Sequence, residues 1–310
     1  MNSLLSKQQK NQYKYSVLIS TFNRKELLRE CLDAVFSQIK KPDEVIVSDD
    51  ASCDGTDIFL TEYAKTHSLV VYIQKKNLNM IGNKNFLAER ATGDILCFID
   101  DDFIVDKGWL FYIIKSFIKD PLLVITGGKT IQQIYRAEEK IFFFPMHVLE
   151  IIRTFFKKYL HIAIPYFFTK TENKSTGGVL VVRGNNMAIR RDFFIKRFEQ
   201  LVDVGEDTVL CLEAQRAGGH VAYVPDAYGY EKTGIRSGFT GGHCFFYRIV
   251  RNWVYIHRFY RLHQGFIGTV FFYTMFAWTC VVSVFFSFKH IEYIKGIRAF
   301  FDGMKMASRL

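Results

Sequence analysis

The stretch GDILCFIDDDFIVDKGW, residues 93–109, decides how the chain is read. The apolar run 95–99 is a strand meant for burial, and it ends abruptly in three carboxylates, Asp100, Asp101 and Asp102. A strand sends residues i and i+2 to the same side, so Asp100 and Asp102 share a face and Asp101 points away. Two carboxylates on one face repel unless a cation lies between them. The alternative is a solvated turn whose acids cap a helix beginning near Asp106. On these residues alone both readings stand.

Working outward, short β-branched runs at 16–20 and 44–48 flank a segment in which Leu27, Leu28, Cys31, Leu32, Val35 and Phe36 line one helical face. Further strands are expected at 69–73 and 95–99, with a helix over 83–90 between them. Strand and helix alternating at this spacing predict an α/β fold, a mostly parallel sheet with helices on both faces. Ligands of such sheets bind at the carboxyl ends of the strands. There the first strand ends in Thr21, Phe22, Asn23 and Arg24, the second in Asp49 and Asp50, and the fourth in the triple aspartate. Neither a G-x-G-x-x-G nor a G-x-x-x-x-G-K loop accompanies these acids, so a bound phosphate is expected to need a metal. Acids gathered along one edge favour the metal reading of Asp100 and Asp102.

With 310 residues the chain has room for a sizeable core without disulfides. Its six cysteines show no C-x-x-C pair, and several sit in apolar runs, which predicts reduced core thiols. The opening segment, 1–14, is polar and lysine-bearing, without the apolar centre of a secretory signal, so the first domain is expected in the cytoplasm. The net charge of +10 admits nucleic acid or anionic lipid as partner. Lipid is favoured over nucleic acid, because the basic and aromatic run 247–264 leads into 266–288, where no residue is charged. Basic residues flank 266–288 on both sides, so it is expected to dip into or lie along the cytoplasmic leaflet rather than span it, with the amphipathic tail after it returning to the same surface.

The blocks SVLISTFNRKELLRECLDAVFSQ, EVIVSDDASCDGT, GDILCFIDDDF, GNNMAIRRDFF and GEDTVLCLEAQRAGGHVAYVPDA, in this order over residues 15–231, together resemble glycosyltransferase family 2. The resemblance implies an inverting enzyme of the GT-A (Rossmann-like) fold that uses a nucleotide-sugar donor and Mn²⁺ or Mg²⁺. It implies that Thr21, Phe22, Asn23 and Arg24 border the nucleotide, that Asp50, preceded by Asp49, reads the base, and that Asp101 lies near the ribose or sugar. Asp100 and Asp102 match the D-x-D metal motif. Asp207, after Glu206, matches the general base, and Gly184, Asn185 and Asn186 fall on the segment facing donor sugar and acceptor. Read without the family, Asp207 equally suits the start of the helix that follows it.

The pattern is departed from after VPDA, where many relatives carry a histidine and this chain has Tyr230 and Glu231. Glu231 or a folded-back His243 are the two candidates for that ligand. The expected organisation is a catalytic domain over 15–242, carrying an insertion at 138–170 that faces either the domain or the membrane, then a helical membrane-associating region over 243–310. The function expected is transfer of a sugar from a UDP-, GDP- or dTDP-linked donor to a saccharide or lipid-linked acceptor in envelope polysaccharide or glycolipid synthesis, at the cytoplasmic membrane face. The alternatives are a noncatalytic nucleotide-sugar-binding scaffold and a sugar nucleotidyltransferase, the latter lacking its Gly-rich phosphate loop.

Overall fold

The computed structural model describes residues 13–132, 181–197, 205–232, 251, 298 and 301–305. The chain divides into two compact units, Met1–Tyr135 with Lys170–Leu201 and Leu210–Ile235, and Arg136–Thr169 with Val202–Val209 and Arg236–Leu310.

The first unit is built on one sheet. In chain order come β1 (Tyr15–Thr21), α1 (Lys25–Phe36), β2 (Glu44–Asp49), α2 (Thr56–Tyr63), β3 (Val70–Ile73), α3 (Asn79–Arg90), β4 (Ile95–Asp100), β5 (Phe103–Val105), α4 (Trp109–Lys119), β6 (Leu123–Gln132), β7 (Asn186–Arg190), α5 (Arg191–Arg197), α6 (Glu206–Arg216), whose residues 206–209 fall in the second unit, and β8 (His220–Glu231). The strands lie in the order β3-β2-β1-β4-β7-β6-β8-β5. β1 runs parallel to β2 and β4, so Thr21 stands opposite Asp49 and Ser20 opposite Asp100. The acids that end β2 and β4 thereby flank the end of β1 on one edge. β7 is antiparallel between β4 and β6, and β5 is antiparallel to β8, which makes the sheet mixed, as expected of the fold class.

Burial on both faces explains why the central strands are continuous apolar runs. Val17, Ile19, Val47, Ile95 and Cys97 pack with Leu28, Leu32 and Trp109 on one face, while Leu18, Ile46, Leu96 and Phe98 pack with Leu87, Phe194 and Cys211 on the other. Alternation along each strand supplies both cores from one sequence.

Several local expectations are corrected. α3 begins at Asn79, four residues before the expected start, and α2 has no counterpart in the sequence reading. The helix expected near Asp106 begins at Trp109, and Asp106 lies in the turn before it, its Oδ1 accepting from the Gly108 amide at 2.9 Å. The triple aspartate does not cap that helix. Cys31, Cys97 and Cys211 are buried free thiols, as expected, whereas Cys53 is exposed.

In the second unit the described residues include a helical turn over 301–305, where Phe301 is exposed and Asp302 pairs with Arg298 four residues earlier. No helix among the described residues is long and apolar enough to cross a membrane. The expected membrane segment 266–288, the insertion 138–170 and His243 lie outside the described residues.

Candidate active site

Two loops at the carboxyl edge are locked together before any ligand is considered. Asn23 takes the left-handed conformation, φ 53°, and its amide donates to Ser52 Oγ at 2.8 Å. Its side-chain Oδ1 accepts from the Cys53 amide at 2.8 Å, and the Lys25 amide donates to Asp54 Oδ2 at 3.0 Å. Asparagine tolerates that backbone better than most residues, and the cross-loop bonds keep it there. Arg24, next in the chain, is thus aimed at the end of β4.

There it meets the triple aspartate. Arg24 Nη1 donates to Asp101 Oδ1 and to Asp102 Oδ2, both at 2.9 Å, and Thr21 Oγ1 donates to Asp101 Oδ2 at 2.7 Å. Asp101 is therefore buried with both oxygens engaged by its own chain. Asp101, expected near the donor's ribose or sugar, is held here by Thr21 and Arg24. Thr21 is likewise buried, while Phe22 is exposed beside it.

Asp101 and Asp102 are both pushed toward the protonated form, chiefly by burial. Burial, then Asp100 and Asp101, push the Asp102 carboxyl up to about 7, with Arg24 opposing and Glu231 adding to the rise. Glu231 belongs to this neighbourhood because β8 ends against β5, and the Lys232 amide donates to the Asp102 carbonyl at 2.9 Å. Arg183 approaches Glu231 to 4.0 Å. The carboxylates around Asp102 raise its proton affinity although Arg24 opposes them, so negative charge dominates at this carboxyl. Hard oxygens with excess negative charge suit Mg²⁺ or Mn²⁺, so the residues present fit the ion that the motif implies. Among the described residues no three His, Cys, Asp or Glu side chains converge on a common point. One or two carboxylates, completed by phosphate oxygens and water, is the ordinary way Mg²⁺ is held at phosphoryl sites.

Asp49 and Asp50 lie at the end of β2, both buried. Asp49 Oδ1 accepts from the Ser52 amide at 3.2 Å and from the Ser52 hydroxyl, while Oδ2 is buried without a hydrogen-bond partner among the described residues. Burial pushes both carboxyls upward. Asp50 Oδ1 accepts from the Leu78 amide at 2.6 Å, anchoring the start of α3, and the Asp50 amide bonds to the Thr21 carbonyl at 2.9 Å.

The acceptor-side residues separate into two groups. Asn185 and Gly184 are half-buried, with Thr130 Oγ1 donating to Asn185 Oδ1 at 3.2 Å. Asn186 is fully buried: its Oδ1 accepts from the Trp109 indole N–H at 2.7 Å, and its Nδ2 donates to the Ala227 carbonyl at 3.1 Å. Asn186, expected on the segment facing sugar and acceptor, has its side chain engaged in tying α4 to β8. Glu206 and Asp207 open α6 after Gly205 at φ 87°. Asp207 is buried, and its Oδ1 accepts from the Thr208 amide at 2.7 Å, so it does stand at the helix start as its residue type allows.

The family model for Glycosyl transferase family 2 matches residues 16–198, more than half of the chain. The chain belongs to glycosyl transferase family 2. Asp207, Glu231 and His243 lie beyond the matched residues. Among curated proteins, the GalNAc(5)-diNAcBac-PP-undecaprenol beta-1,3-glucosyltransferase of Campylobacter jejuni is 36% identical over 91 residues, 29% of this chain and 29% of that protein. The chain spans between 19% and 50% of the length of the first curated relatives it matches. Among solved structures, S. aureus TarS 1-349 in complex with UDP-GlcNAc aligns with a TM-score of 0.65 at 18% identity, covering 95% of this chain and 81% of that one. The mannosyltransferase PcManGT of Pyrobaculum calidifontis, in complex with GDP-Man and Mn²⁺, aligns at 0.57 and 17% identity, covering 99% of this chain and 83% of that one. At these identities the structural likeness establishes the shared GT-A-like fold.

The acids at the strand ends were legible in the sequence; the bridging of Asp101 and Asp102 by Arg24 was not. Arg24 was placed with the donor from its motif, and only the loop clamp around Asn23 shows which groups it reaches.

Proposed function

We propose that this chain transfers a sugar from a nucleoside-diphosphate donor to a hydroxyl of a saccharide or lipid-linked acceptor, with inversion, in envelope polysaccharide or glycolipid synthesis. The observation that carries this reading is the family match across β1 to β7, together with the gathering of Asp49, Asp50, Asp100 and Asp102 on one sheet edge.

In the proposed mechanism the donor's nucleoside lies along the ends of β1 and β2, bordered by Phe22, Asn23 and Asp50, and Asp100 and Asp102 would hold a divalent ion. When bound, that ion supplies positive charge to the diphosphate as it leaves. Thr21, Arg24 and Asp101 keep Asp102 in place from behind. The acceptor hydroxyl, positioned along Gly184 and Asn185, attacks the anomeric carbon from the side opposite the diphosphate. As the new C–O bond forms, its proton passes to the carboxylate of Asp207 and the bond to the diphosphate breaks, releasing the nucleoside diphosphate. One displacement inverts the anomeric configuration.

A lipid-linked acceptor is supported by the relative whose name specifies an undecaprenol-linked substrate, and by the uncharged run 266–288 with its basic flanks. We place the enzyme at the cytoplasmic membrane face on the same grounds. The test is a panel of UDP-, GDP- and dTDP-sugars offered to the purified protein with Mn²⁺, scoring released nucleoside diphosphate. Release from one donor, abolished by chelation, is expected; no release from any donor, with no binding of any nucleoside diphosphate, contradicts an active transferase.

A further inference from the structure

Arg24 is built into the carboxylate cluster. Its side chain is 14% exposed, that of Asp101 6% and that of Asp102 14%. A single nitrogen, Nη1, bridges Asp101 Oδ1 and Asp102 Oδ2, and Thr21 Oγ1 takes the other oxygen of Asp101. With Asp101 satisfied from both sides, the Arg24–Asp101 half of the bridge is the firmer one, and the Arg24–Asp102 half is the one a ligand can exchange. The backbone around Arg24 is fixed independently by the Asn23–Ser52, Asn23–Cys53 and Lys25–Asp54 bonds. The root of the Arg24 side chain is thereby held beside the acids.

We propose that Arg24 is a positioning residue acting as an internal counter-cation, which competes with the divalent ion for Asp102 and so holds metal affinity low until a diphosphate donor arrives. This rests on the reading of Asp100 and Asp102 as metal ligands. A divalent ion at Asp102 and a guanidinium 2.9 Å from the same carboxylate repel each other. The anionic oxygens of a diphosphate relieve that repulsion by accepting from one cation and ligating the other, so metal and donor bind better together than apart. The guanidinium also holds the acids together without metal, where four carboxylates, those of Asp100, Asp101, Asp102 and Glu231, would otherwise face one another with less compensation.

The test measures Mn²⁺ binding to the full-length protein by electron paramagnetic resonance, first with the metal alone and then with saturating UDP or GDP. Arg24→Gln removes the competing charge and is expected to bind Mn²⁺ alone on the order of tenfold more tightly than wild type, while the gain in Mn²⁺ affinity on adding nucleotide shrinks. Arg24→Lys keeps a charge, so its affinity for Mn²⁺ alone is expected to stay within about threefold of wild type. Equal or weaker Mn²⁺ binding by Arg24→Gln, with wild type binding normally, overturns the competition and leaves the metal site standing. Absence of Mn²⁺ binding in wild type and both variants, with nucleotide present, overturns the metal reading and the competition with it. If Arg24→Gln does not fold, Arg24→Lys combined with Asp101→Asn, which frees the ammonium from Asp101, is expected to bind Mn²⁺ alone more weakly than Arg24→Lys; tighter or equal binding overturns the proposal.

Discussion

Asn186 offers the sharpest separation between a structural residue and a ligand-binding one. Its side chain is fully buried and satisfies two groups at once, the Trp109 indole N–H at 2.7 Å and the Ala227 carbonyl at 3.1 Å. Trp109 is itself fully buried, so Asn186→Ala leaves an indole N–H without its partner where water has no access. Stranding a buried donor and acceptor costs about 1–3 kcal/mol each, so the variant is expected to lose about 2–5 kcal/mol of stability. Against a typical total of about 5–15 kcal/mol this is a large fraction. Urea unfolding followed by near-UV circular dichroism of the tryptophans is the measurement, paired with donor and acceptor KM on the folded enzyme. A loss below about 0.5 kcal/mol, the ordinary range for a surface change, accompanied by a large rise in acceptor KM, would refute the buried tie and return Asn186 to the ligand.

Three further outcomes follow from particular contacts. Asp102, with its carboxyl pushed up to about 7, must lose its proton to bind metal, so Mn²⁺ affinity measured by calorimetry is expected to rise about tenfold from pH 6 to pH 8; the metal-free protein, whose folded state holds that proton more tightly than the unfolded chain, loses stability as pH rises from the ordinary carboxylate range through 7. Asp207→Asn keeps an oxygen to accept the Thr208 amide, so donor and metal binding should persist while transfer falls about 100-fold or more; survival of transfer within about tenfold places the base elsewhere. Gly128→Ala would drive its methyl to 1.6 Å from the Ala227 carbonyl, a backbone atom that cannot swing aside, so little soluble protein is expected from its expression.

How much of this was legible in the sequence depends on whether the deciding forces are local. The parallel half of the sheet was readable because β1, β2 and β4 are buried on both faces and so are written as continuous apolar runs. α2 was missed because its eight residues, TDIFLTEY, bury only Thr56 and Leu60 fully and show little periodicity. The placements of β7 between β4 and β6 and of β5 beside β8 rest on pairings between distant segments, and no window of sequence encodes them. Motif position located Asp100, Asp102 and Arg24 correctly at the carboxyl edge. It could not tell the half-buried Asn185, just before β7, from the fully buried Asn186, which opens it.

The central claim is that Asp100 and Asp102 bind a nucleoside diphosphate through a divalent ion. Calorimetric titration of the nucleoside diphosphate released in the donor panel, into wild type and Asp102→Asn, each with Mn²⁺ and with chelator, tests it directly. Wild type is expected to lose at least about tenfold in affinity when Mn²⁺ is chelated, and Asp102→Asn to bind weakly in both conditions, because a diphosphate without its cation meets more carboxylate charge there than Arg24 offsets. Equal affinity in all four titrations would contradict it.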